Sequence, residues 1–563
     1  MARPLSLIAL VASVAAMCAT MVLGPSDAVP FFGSTGPFLT LHASPSHAVV
    51  TALTWFSALS AGAGTLAGLY ALRRGRLAGP GRLLAAGIVT ACVFALLPPA
   101  GSVDILNYAI YGRIADLGRD PYVTTPFLLA RTGDRVGVLL PSGWQRVPTV
   151  YGPVTTAIQW AAAHVGAGSM ARIIFLLKWA NAAAFAGTAV LLDRLAGPDP
   201  VRRVRACMLW TVNPIMLFWM VGSGHADVFA VFFLVLALWL LRRRSLLGIL
   251  GGAAGGAAVA VKASFLFPAA ALVAVAWFGP ARIRRSVATA LGLLLVAGGG
   301  YLLAGPAAVH SLHTRLGRKK DRYLPVPDVI LNHHGLYAVW MALLAVTLTA
   351  FLWWRSGLPF ALWRRVPDTG LLPVAVLAFG TTLVSPLQYP WYDAMLLPLL
   401  AALPLRPYAR LDGPLVVRGV MLAVMTLPGV RVDGYQHLAV RWLNLVWLLV
   451  FVVTVWHGTR RRRPNRWPRF RRRTYPVPVS TGRASVCRLG LLSRYALRWR
   501  SVAAMLAPLT PPRLATPVNA MLKGMNQRGT RTQLVSVTLQ PSAVASMSYC
   551  QRETGTLNGA VTS

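Results

Sequence analysis

What most limits the fold of this chain is a series of apolar segments, each close to the length of about 20 residues that an α-helix needs to cross a hydrocarbon core about 30 Å thick. They recur near 5–24, 48–72, 83–100, 170–192, 206–222, 226–241, 246–261, 263–278, 286–305, 336–354, 370–386, 392–405, 415–430 and 440–457. The pairs covering 246–278 and 392–430 are short, so the expected count is about 12–14 spans. Backbone N–H and C=O groups find no water in lipid, which leaves helices as the form such segments take. Across 563 residues, 56% are hydrophobic and only 12% charged, which excludes a soluble globular class. The expectation is an all-α polytopic membrane protein over residues 1–457. The apolar stretch after Arg3 is read as a span, because its small-residue cleavage signal is poor.

A net charge of +40 would suggest a nucleic-acid partner in a soluble chain. Here the arginines sit at the ends of apolar segments, so nucleic acid is not expected and membrane lipid is. Alternate connections carry Arg73, Arg74, Arg76 and Arg82; Arg194, Arg202, Arg203 and Arg205; Arg242 to Arg244; Arg282, Arg284 and Arg285; Arg355, Arg364 and Arg365; Arg406 and Arg410; and Arg460 to Arg463. By the positive-inside rule these face the cytoplasm, as do both termini of a multi-pass plasma-membrane protein. The alternation holds only if 151–168 stays outside as an interfacial or re-entrant helix. Residues 458–563, which include RRRRPNRWPRFRRR, are expected to form a basic, disordered cytoplasmic tail that binds anionic lipid. The five cysteines show no paired spacing, so neither a disulfide framework nor a zinc site is expected.

With the arginines inside, the remaining polar residues gather on the outer face. Residues 104–122 read DILNYAIYGRIADLGRDPY and hold three of only 15 acidic residues. Asp104 follows an apolar run and is a candidate base at the membrane boundary; helix N-capping is the alternative. Asp120, before Pro121, reads as a turn former with a positioning role as the sharper option, and Asp116 as a solvated helix residue. His225 and Asp227 lie in GSGHADVF, where glycines permit a tight turn and boundary His and Asp residues point to function; helix capping by Asp227 is the plainer reading. Lys262 is the only charge between Arg244 and Arg282, so it either binds an anion or snorkels. Arg315, Arg318, Lys319, Lys320 and Arg322 break the sign pattern by lying outside, which suggests anion binding or a misplaced span. In SPLQYPWYD, Gln388, Trp391 and Tyr392 form either an aromatic belt or the lining of a groove.

This ordered set includes Asp104, Tyr108 and Gly112; Gly118-Arg119-Asp120-Pro121-Tyr122; and Tyr151-Gly152-Pro153. It continues through Asn213-Pro214, Gly224-His225-Ala226-Asp227 and Lys262 to Ser385-Pro386 and Pro390-Trp391-Tyr392. In order and composition it resembles the actinobacterial polyprenyl-phosphate-mannose-dependent mannosyltransferases over residues 1–457. The family's hairpin usually reads His-Asn-Asp, and Ala226 stands here for the Asn. The resemblance implies a glycosyltransferase-C-like helical bundle with outer-face interfacial helices. It also implies transfer of a hexose, mannose above all, from a polyprenyl-phosphate sugar to a glycan or lipoglycan acceptor.

Such a donor already carries an anionic leaving group, so one base and phosphate-stabilising cations suffice. Asp104 is the expected base of an inverting displacement. His225, Lys262 and the basic loop from Arg315 to Arg322 are expected at phosphate, with Asp227 and Asp120 positioning acceptor, His225 or metal. Tyr108, Tyr122, Tyr151, Gln388, Trp391 and Tyr392 are expected to line the substrate groove. No cofactor is required, and a divalent metal stays open. The alternative function is a transporter or flippase for lipid-linked sugars, although neither internal repeats nor charges spread through the spans point to it.

Overall fold

The computed structural model describes residues 2–34, 36–75, 79–141, 144–242, 248–278, 281–316, 371–384, 389–403, 409–427 and 446–447. Among them the protein is all-helical, with no strand. Helices α1 (Ala2–Val22), α2 (His47–Arg73) and α3 (Pro80–Leu96) lead to α4 (Asp104–Asp116), the short α5 (Pro126–Ala130) and α6 (Pro153–Gly166). The long α7 (Met170–Ala196) and short α8 (Pro200–Ala206) and α9 (Pro214–Leu217) follow, then α10 (Asp227–Arg242) and α11 (Gly248–Val261). Next come α12 (Leu266–Ala270), α13 (Leu272–Trp277), α14 (Arg282–Leu303) and α15 (Pro306–Leu316), and finally Leu371–Val384, Leu397–Ala402 and Asp412–Thr426.

By length and apolar composition, Pro4–Val22, His47–Arg73, Met170–Ala196 and Arg282–Leu303 each suffice to cross a bilayer. Leu5, Ile8 and Val11 on α1, and Val287, Leu291 and Leu294 on α14, are exposed, as suits contact with lipid tails. Elsewhere the expected spans are shorter or broken. The segments expected near 83–100, 246–261 and 370–386 form Pro80–Leu96, Gly248–Val261 and Leu371–Val384, while 336–354 and most of 440–457 lie outside the described residues. So does the tail 458–563.

The expected continuous helix 206–222 is instead Pro200–Thr211 and Pro214–Gly222, bent by 45°. Proline explains the break: Pro214 lacks an N–H, and Asn213 caps the new start by accepting from the Ile215 N–H at 3.1 Å. The 263–278 segment is a short helical stretch, Ala263–Trp277, that opens with a single turn at Ala263–Phe265 and continues as α12 and α13. The 392–405 segment becomes a tight turn at Pro390–Met395 followed by Leu397–Ala402. Irregular backbone at membrane depth persists only where protein or an aqueous site satisfies it. Three stretches that interrupt the long helices, 223–226, 262 and 389–396, carry His225, Lys262, Trp391 and Tyr392.

Close packing holds the scaffold. A Cβ on Gly252 would sit 2.0 Å from the Thr289 carbonyl oxygen, and one on Gly292 would sit 2.1 Å from that of Ile249, so α11 and α14 touch backbone to backbone. Arg205, read from sequence as a cytoplasmic loop charge, is instead fully buried. Its guanidinium forks onto Asp412 at 2.7 and 2.9 Å and donates to the Leu403 carbonyl at 2.9 Å. Lys178 lies inside α7 and donates to the carbonyls of Leu97 (2.5 Å) and Pro98 (3.2 Å), groups left open at the end of α3.

Candidate active site

Asp104 opens α4, whose cap position is Val103 and which has no side-chain cap bond, so its carboxylate is not spent on the helix end. The side chain keeps 21% of its surface accessible and lies 3.8 Å from His225 Nδ1. One helical turn on, the Tyr108 hydroxyl lies 2.8 Å from that of Tyr151 and 3.5 Å from His225 Nδ1. Tyr151 is held by its neighbour: the Gly152 N–H donates to the Val261 carbonyl at 2.9 Å, and a Cβ at Gly152 would fall 2.1 Å from the Ala260 oxygen. That contact joins the start of α6 to the end of α11, where Lys262 begins the break. Lys262 Nζ reaches Asp227 Oδ1 at 2.8 Å and sits 4.3 Å from the Tyr392 ring centroid.

His225 is carried on the tight turn after the bent helix. Gly224 takes φ +77°, which favours this residue type, and a Cβ there would lie 2.2 Å from Ile105 Cδ1, so Ile105 would have to shift. From α7, the Asn181 amide donates to the carbonyls of Met220 (2.8 Å) and His225 (3.1 Å) and ties the turn down. The imidazole is 1% exposed and stacks on Trp391 at 3.9 Å and 15°. Trp391 in turn stacks on Tyr389 at 4.4 Å and 8°.

Burial pushes the Asp104 carboxyl up to about 6; the Lys262 charge opposes that rise and Asp227 adds to it. Burial, then Lys262, drives His225 well below its usual range, so the ring is neutral at pH 7. Tyr108 is held well above the ordinary phenol range by burial, by Tyr151 and by the carboxylates, and so stays protonated. The cluster thus contains one accessible carboxylate that changes charge near neutrality, neutral hydrogen-bonding groups around it, and a cation paired to a second carboxylate. Two buried atoms in it, His225 Nε2 and Asp227 Oδ2, have no protein partner.

The structure brings together Asp104, Tyr108, Tyr151, His225, Asp227, Lys262, Trp391 and Tyr392. It does not bring in Asp120, which accepts from the Tyr122 N–H at 2.8 Å and forms the turn. The Tyr122 hydroxyl meets Thr156 at 3.1 Å on α6. Asp116 is not the solvated residue expected: it pairs with Arg113 at 2.8 Å and with His164 at 3.0 Å. Arg318, Lys319, Lys320, Arg322 and Gln388 lie outside the described residues, and Arg315 is described only as backbone within α15. Sequence reasoning missed Asn181, Tyr389 and Trp219, whose ring lies 6.0 Å from that of His225. Only Tyr389 left a signal, as part of the aromatic run before Asp393. Among the described residues, no three His, Cys, Asp or Glu side chains are grouped to hold a metal ion.

Residues 6–279 match the family described as Alpha-(1->6)-mannopyranosyltransferase, N-terminal domain. That stretch contains Asp104, Tyr108, Tyr151, His225, Asp227 and Lys262 and ends before the segment bearing Trp391 and Tyr392. No curated protein and no solved structure matches the chain.

Proposed function

From the match of residues 6–279 to an alpha-mannosyltransferase family, we propose that the protein transfers mannose from a polyprenyl-phosphate donor to a mannan or lipoglycan acceptor at the outer membrane face. The observation that carries this reading is Asp104, a partly accessible carboxylate whose proton comes off near pH 6, set beside the Lys262–Asp227 pair. A base tuned close to working pH is both largely ionised and basic enough to take a proton in the transition state.

The acceptor hydroxyl gives its proton to Asp104 as its oxygen bonds to the sugar's anomeric carbon. The bond from that carbon to the phosphate oxygen breaks, and its electron pair leaves with the phosphate. Lys262 is the cation placed to stabilise that charge. Inversion of a beta-configured donor gives an alpha linkage. Because phosphate is already a good leaving group, a second carboxylate acting as acid is not needed, unlike the pair in a glycosidase. The isoprenoid chain would lie along the exposed apolar helix faces.

Membranes containing the protein, supplied with polyprenyl-phosphate mannose and a mannan acceptor, test the proposal. Wild type transfers mannose, and Asp104→Asn at equal protein level does not. Full activity in the variant removes Asp104 as base. Movement of the lipid-linked sugar across the bilayer without transfer replaces the reading with a flippase.

A further inference from the structure

Trp391 looks from sequence like a platform for a sugar ring, since sugars pack on aromatic faces. Its geometry leaves no face free. His225 covers one side at 3.9 Å and 15°, and Tyr389 covers the other at 4.4 Å and 8°. Two rings both nearly parallel to the indole at these distances occupy opposite faces. Trp219 closes in at 5.2 Å and 47°, and Trp391 is only 7% exposed.

The turn that carries Trp391 is anchored rather than loose. Asp393 pairs with Arg418 on Asp412–Thr426 in a fully buried contact, and Tyr392 lies over the Lys262 ammonium at 4.3 Å. One short segment, Tyr389–Asp393, therefore presses on both His225 and Lys262. It lies outside the residues that match the family's N-terminal domain.

We propose that Trp391 is a positioning residue: it braces the His225 ring against Asp104 and Tyr108, so that the second half of the chain completes a site whose base lies in the first. This rests on the mannosyltransferase reading for its kinetic consequences, though not for its geometry. Stacking fixes the ring plane, and the Asn181 bond to the His225 carbonyl fixes the backbone; together they leave His225 Nδ1 facing Asp104 and Tyr108. Without the indole the imidazole can rotate away from the carboxylate.

Two measurements test the brace. The first is chemical and independent of turnover: diethylpyrocarbonate acylates accessible neutral histidines, and mass spectrometry reports modification at His225. Wild type and Trp391→Phe are protected, whereas Trp391→Leu is modified at least tenfold faster; equal protection in the leucine variant overturns the brace. The second is kinetic, with polyprenyl-phosphate mannose as donor. Trp391→Leu lowers kcat tenfold or more with KM for donor and acceptor within twofold, shifts the acid limb of the pH profile, and is rescued by Trp391→Phe. A tenfold rise in KM with kcat retained makes Trp391 a sugar platform and overturns the proposal.

If the leucine variant does not accumulate, Tyr389→Leu uncovers the far face of Trp391 without touching His225. A kcat loss at constant KM then supports the brace, and a KM rise refutes it. If wild type shows no transfer at all, the mannosyltransferase reading fails, and the His225 modification pattern still decides the brace.

Discussion

Replacing Asp104 by Asn should raise stability while abolishing transfer, and the size of the gain follows from the site. The carboxyl loses its proton near pH 6 in the folded protein against 3.8 in its ordinary state. That difference is worth about 3 kcal/mol at 1.36 kcal/mol per tenfold change in proton affinity. The sign follows from proton counts: between those two values the folded state holds more protons than the unfolded one, so stability falls as pH rises and the loss is complete above about 6. The opposing attraction between a carboxylate and a helix N-terminus contributes about 0.3–1 kcal/mol, so burial dominates.

An asparagine of the same shape escapes the cost. In detergent, followed by tryptophan fluorescence on heating, Asp104→Asn should be more stable than wild type by up to about 3 kcal/mol at pH 7.5, narrowing to about 1 kcal/mol at pH 4.5. The midpoint rises by a few degrees at the higher pH. A variant that melts at or below wild type at pH 7.5, or a gap independent of pH, refutes the idea that Asp104 is held ionised against its surroundings.

Four further outcomes are expected. In the wild type, kcat/KM should fall about tenfold per pH unit below about 6, as the base becomes protonated; a flat profile between pH 5 and 7 contradicts the assignment. Lys262→Met should lower kcat about 10²–10³-fold, the range seen when one charge-stabilising group is lost; wild-type turnover would remove Lys262 from the phosphate. Asp412→Leu leaves Arg205 buried and unpaired and should cost about 3–5 kcal/mol, much of it recovered in Arg205→Met/Asp412→Leu, as thermal unfolding will show. Gly252→Ala should lower the melting midpoint, because its Cβ meets backbone at 2.0 Å, whereas Gly298→Ala, with nothing within 4 Å, should not; equal midpoints would mean that α11 and α14 adjust freely.

The helical class was legible because apolar length is a local property, and so were Asp104, His225, Asp227 and Lys262, which stand out in a chain so poor in charge. Partners were harder to read, because spacing places a residue on a face without saying what faces it. Arg205 matched the loop-arginine pattern yet is paired with Asp412 at 0% and 1% exposure. Asp116 looked solvated because His164 lies 48 residues away, although Arg113, three residues back on the same helix, is a partner its spacing offers. Trp391 fitted a membrane belt, and only the three-dimensional stack reveals that both its faces are covered. The break at Asn213-Pro214 was hidden inside a run apolar enough to pass as one continuous helix, whereas the break at Lys262 falls between the expected spans 246–261 and 263–278.

Lys178 carries a consequence for how the chain is made. An ammonium entering lipid on an isolated helix costs about 2.5–3.5 kcal/mol on insertion scales, yet α7 must enter with it. Its acceptors, the carbonyls of Leu97 and Pro98, lie 81 and 80 residues earlier in the chain. A ribosome therefore makes both acceptors before the lysine that needs them.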